Sequence, residues 1–154
     1  MSTSTAPGAV VTQQRSEWPL HTYLPPLGVI PEVVHTARAE VTAILHIWGL
    51  RSSLIEDAEL VVSELVTNSV QQAQREPPVS GTLPILQVSL FSDRRGVVVC
   101  VWDPLPGIPE EHAADDDDEG GRGLTLVSAF GHWDYELLPH RGKVVRAWLG
   151  FRAA

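Results

Sequence analysis

Hydrophobic residues recur at spacings of three and four from Leu54 onward: Ala58, Val61, Val62, Leu65, Val66, Ser69 and Ala73 continue the stripe. That period predicts an amphipathic helix over 54–76 with one face to bury. Upstream, Val33, Val34, Ala37, Val41, Ile44, Leu45 and Trp48 keep the same period as far as Gly49, which predicts a first helix with a glycine stop. Pro31 suits its opening turn. Ser52 or Ser53 is expected to cap the longer helix, with Glu56 and Asp57 favourable to its N-terminal dipole. Elsewhere the period falls to two. Leu86, Val88 and Leu90 alternate with Gln87 and Ser89, predicting a strand with one wet or partly wet face. Residues 97–102 are continuously apolar and predict a central strand covered on both sides. The four residues 93–96 between these strands read as a hairpin turn.

A short strand is expected within 18–24, before Pro25 and Pro26. A short helix is expected over 124–130, stopped by Gly131. Trp133, Tyr135 and Leu137 then alternate with polar residues, and 143–151 return as a last strand. The order predicts an α+β fold, a two-layer sandwich whose helices cover one face of a mostly antiparallel mixed sheet. Residues 1–16 are small and polar and read as a flexible N-terminal tail, leaving 17–151 as a single domain. Within it, 104–120 break every period: Pro104, Pro106, Gly107 and Pro109 precede an acidic run over 115–119. Such a run is solvated and self-repelling, so this stretch is expected to form a mobile lid.

Composition narrows the class. Apolar residues make up 44% and charged residues 19%, which is globular rather than disordered. The net charge of −8 and the lack of a basic cluster argue against nucleic acid as a partner. The single cysteine, Cys100, lies in an apolar run and reads as a core residue. His35 and His46 have no visible metal partner. No apolar run reaches the 18 residues of a membrane span and no leader pattern is present, so a cytoplasmic protein is expected.

Three stretches carry candidate chemistry. Glu64 and Asn68 are one turn apart on the shoulder of the apolar stripe. An amide oxygen there suits a hard cation and a carboxylate suits a hydroxyl proton, although a solvated surface pair has the same spacing. Asp103 ends the buried strand, either as a carboxylate in need of a partner or as a turn-opening residue before Pro104. Gly121, Arg122 and Gly123 open the short helix that begins at Leu124, where backbone N–H groups are free to meet an anion. No Gly-Lys-Ser/Thr follows, so this is not a Walker A loop.

In this order and spacing, ELVVSELVTNSV, the strand ending in Asp103 and EGGRGLTLV resemble the N, G1 and G2 boxes of the GHKL (Bergerat-fold) ATPases. The chain is most similar to the anti-sigma-factor serine kinase branch, in its stand-alone actinobacterial form. The resemblance implies binding of ATP with Mg2+. It assigns Asn68 to the metal and phosphates, Glu64 to activation of the attacking hydroxyl, and Asp103 to the adenine amino group. It assigns Gly107, Gly121, Arg122, Gly123 and Leu124 to the two glycine boxes. It also implies a sigma factor and a STAS-domain anti-anti-sigma protein as partners, and a homodimer.

Two departures touch adenine recognition. Leu105 stands where the first box has a glycine, and Val144 is expected at the place of a threonine that supports the adenine-binding aspartate. The leading expectation is a protein serine kinase that is also an anti-sigma factor. The alternatives are a non-catalytic interaction module, with or without nucleotide, and a detached histidine-kinase ATPase domain. Against the last stands the lack of a His-bearing dimerisation helix.

Overall fold

A computed structural model describes residues 18–76, 81–109 and 123–151. Two short strands, β1 (Leu20–Tyr23) and β2 (Leu27–Gly28), precede α1 (Val33–Ile47) and α2 (Ser52–Arg75). Then come the hairpin β3 (Ile85–Ser92) and β4 (Val97–Asp103), α3 (Gly123–Phe130), and a second hairpin, β5 (Gly131–Leu138) and β6 (Gly142–Leu149). The sheet runs β1-β3-β4-β6-β5, with β2 added to β3, and each of these pairings is antiparallel. The α+β sandwich is as the sequence patterning predicts.

The apolar stripe of α2 is the spine of the core. Leu54, Ala58, Val61, Val62, Leu65 and Val66 are all buried, against Val33, Ala37, Val41 and Leu45 of α1. On the sheet side they meet Val88 and Leu90 of β3, Val97, Val99 and Val101 of β4, and Val145 and Ala147 of β6. The unbroken apolar run of β4 has its reason in this arrangement. The strand is central, and its alternate residues Val98 and Cys100 enter a second cluster with Phe91 and Val144 on the far face. Burial pushes the Cys100 thiol up to about 12, consistent with an inert core residue.

Two local expectations change. The N-cap of α2 is Arg51, with extended backbone and no side-chain cap bond, and Ser52 is already helical. The far face of β3 is drier than its polar positions suggest. Ser89 and Phe91 are buried there, and Trp18, Tyr23, Trp102, Trp148 and Phe151 pack over the cluster to which Phe91 belongs. The expected N-terminal tail and most of the expected lid lie outside the described residues; of the lid, 104–109 are described.

Candidate functional site

Helix α2 builds one wall of the site. Glu64, Asn68 and Gln72 follow one another at intervals of four, so they form a single ridge with about 5.4 Å of rise per turn. All three are half-buried, because the ridge borders the core stripe instead of opposing it. Burial raises the Glu64 carboxyl above the ordinary carboxylate range, and the Arg38 guanidinium on α1 pulls it part of the way back. Arg38 was not legible as a neighbour in the sequence. It reaches the site because α1 packs along α2, where its Nε donates to Ser63 Oγ at 2.8 Å. Among the described residues, neither Glu64 nor Asn68 has a side-chain hydrogen-bond partner.

The upper end of the ridge meets the end of β4. Asp103 is only 1% exposed, and both of its carboxylate oxygens accept hydrogen bonds. Ser69 Oγ donates to Oδ2 at 2.6 Å, and the Leu105 backbone N–H donates to Oδ1 at 3.0 Å. Lys143 Nζ donates to the same Oδ1 at 2.8 Å and to Gln72 Oε1 at 2.6 Å. The Gln72 amide nitrogen in turn donates to the Pro106 carbonyl. Helix α2, strand β6 and the segment after β4 are therefore tied together through one buried ion pair.

This network corrects the expected neighbour of Asp103. On β6 the residue opposite Asp103 is Lys143, and directly opposed residues of an antiparallel pair share a face. Val144 lies on the other face, in the cluster with Phe91 and Cys100. The support expected to be missing at Val144 is supplied, with a full charge, by Lys143. The burial of both charges is tolerable because each is hydrogen-bonded as well as paired. Removing one partner of such a pair costs roughly 3–5 kcal/mol, against about 0.5–1.5 kcal/mol net for an ordinary hydrogen bond.

Leu105 turns its side chain into the protein, at 5% exposure, while its N–H reaches Asp103. Gly107 has φ +96, a conformation that favours glycine, beside the Gln72 amide. Gly142 has φ +82, and a Cβ there would collide with the Asp103 carbonyl. That close approach lets β6 lie against the end of β4. Gly123 opens α3, and Leu124 is buried in the core with Val127, so its side chain serves packing. Gly121 and Arg122 lie outside the described residues.

The donor set fits a nucleotide-bound magnesium. Among the described residues no cluster of three or more histidine, cysteine or acidic side chains exists to hold a metal by itself. A single amide oxygen at Asn68 suits Mg2+, which takes most of its ligands from phosphates and water. A cavity of about 680 Å³ lies at the opposite end of β4, lined by Arg51, Arg94, Arg95, Gly150 and Phe151. Arg51 and Arg94 there donate to the carbonyls of Arg95 and Trp48, and Arg95 pairs with Asp93. These contacts fasten the β3–β4 turn to the α1–α2 junction, which is a structural role. No helix of the described residues is long and apolar enough to cross a membrane.

The two-layer α+β fold thus carries Glu64, Asn68 and Gln72 on one ridge of α2, with Gln72 tied through Lys143 to the buried Asp103 at the end of β4. Residues 29–147 match the model of the histidine kinase-like ATPase domain, and the chain belongs to that family. It is similar to a serine-protein kinase RsbW from Bacillus licheniformis, 32% identical over 107 residues. A second serine-protein kinase RsbW from the same species is 31% identical. The match covers 63% of this chain and 66% of the relative, a little less than two thirds of its length.

Proposed function

We propose that this chain is an ATP-binding regulatory protein, a serine kinase and anti-sigma factor that phosphorylates a STAS-domain anti-anti-sigma partner. The observation that carries the reading is the ridge of Glu64 and Asn68, half-buried and, among the described residues, without side-chain hydrogen bonds, in a chain similar to a serine-protein kinase. Asn68 would hold Mg2+, and the ion would supply charge neutralisation for the transferring phosphoryl group. Glu64 accepts the proton of the substrate serine. Its raised carboxyl supports this role, since a base closer to working pH accepts a proton more readily. In the same reading Gly121, Arg122 and Gly123 serve the phosphates, and Asp103 and Gly107 serve the base.

In the cell the protein alternates between the sigma factor and the STAS partner, as a cytoplasmic homodimer. The engagement of Asp103 by Lys143 favours a second reading, an interaction module without catalysis. Calorimetry with ATP and ADP, with and without magnesium, separates the two. Magnesium-dependent ATP binding supports the kinase reading, and no binding of either nucleotide sinks it.

A further inference from the structure

We propose that Lys143 is a built-in competitor for the base-recognition carboxylate and sets the affinity and base preference of the nucleotide site. The inference rests on the nucleotide-binding reading above. Lys143 is the only lysine in the chain, and it is wholly buried against Asp103, the carboxylate to which the nucleotide-binding reading gives the adenine amino group. Its ammonium occupies Oδ1 of Asp103, which also accepts from Leu105 N, while Oδ2 is taken by Ser69. No oxygen of that carboxylate is left facing open space, at 1% exposure of the residue. An adenine amino group that approaches Oδ1 competes there with a buried ammonium and a backbone N–H for the same oxygen.

The same ammonium is held on its other side by Gln72 Oε1, and Gln72 also holds the Pro106 carbonyl. Displacing Lys143 thus loosens the start of the segment after β4 as well as freeing Asp103. A purine base with no exocyclic amino group gains nothing from a freed carboxylate, whereas guanine, with its N1–H and 2-amino donors, would gain as adenine does. Lys143 consequently weakens purines that bear an amino group relative to purines that lack one.

The test is calorimetric titration of wild type and Lys143→Thr with MgATP and with the magnesium complex of purine riboside triphosphate, which lacks the 6-amino group, after a thermal melt confirms that the variant is folded. Threonine keeps a short hydroxyl donor for Asp103 without the charge or the reach to Gln72. The expected result is ATP binding tightened by about tenfold or more with the affinity for purine riboside triphosphate unchanged, the scale of one recovered charge-assisted bond. ATP affinity that is unchanged or weaker in the variant, with wild type still binding, overturns this inference and leaves the nucleotide reading intact. No binding to either protein overturns both. Should the variant not fold, wild type answers alone, because an amine-reactive acetylating reagent has only Lys143 and the chain terminus to modify. Acetylation of Lys143 that rises with ATP saturation supports the competition; protection that persists at saturating ATP overturns it.

Discussion

Lys143 and Asp103 are Cα partners across β4 and β6, and their side chains close that register with a buried ion pair 2.8 Å long. Neither group has solvent to fall back on, so each depends on the other. Lys143→Met is expected to destabilise the fold by roughly 3–5 kcal/mol, because it leaves Asp103 buried and uncompensated. Lys143→Met combined with Asp103→Leu is expected to recover most of that loss. Urea denaturation of the two variants checks this, and additive losses would show that the pair is not coupled.

Gly142→Ala tests the backbone beneath the pair. Its φ of +82 and the clash with the Asp103 carbonyl both oppose a side chain. A loss of about 1–3 kcal/mol or more is expected, together with a weaker nucleotide site. An alanine variant as stable as wild type would contradict the close approach of β6 to β4.

Much of this fold was legible in the sequence because its signals are local. The stripe from Leu54 to Val66 and the unbroken run of β4 each reflect what covers them. The face on which Lys143 points was not local. A single strand gives a period of two but no register, and a slip of one residue exchanges Lys143 for Val144. Composition also pointed the wrong way, since a wholly buried lysine is rare without a partner, and its partners Asp103 and Gln72 lie 40 and 71 residues away. The neighbour Arg38 was missed for the same reason: it approaches from α1, 25 residues from the Ser63 it bonds. Ser52 failed as a cap because α2 starts one residue earlier than its capping chemistry suggests.

Asn68→Ala is expected to remove the magnesium dependence of ATP binding while leaving the fold intact, since Asn68 has no hydrogen-bond partner among the described residues. Calorimetry with magnesium and with chelator reads this directly. Equal affinities for wild type and variant under both conditions would take Asn68 out of the site.

Glu64 links the site to stability through pH. Its carboxyl is raised in the folded state, so the fold holds this proton to higher pH than the unfolded chain does. The ionised form is therefore the costly one, and the cost develops as pH rises from the ordinary value of 4.5 through the raised one. Glu64→Gln is expected to melt higher than wild type at neutral pH, with the difference vanishing well below pH 4.5. A variant less stable than wild type at neutral pH would mean that Arg38, not burial, governs this group.

The most direct measurement of the kinase reading is phosphoryl transfer from γ-labelled ATP to serine of STAS-domain proteins from the same genome. Wild type is expected to label one of them on serine, and Glu64→Gln to bind ATP while transferring about 10²–10⁴-fold more slowly. ATP binding without transfer to any STAS-domain protein, or a Glu64→Gln rate equal to wild type, would contradict the proposed kinase and its base.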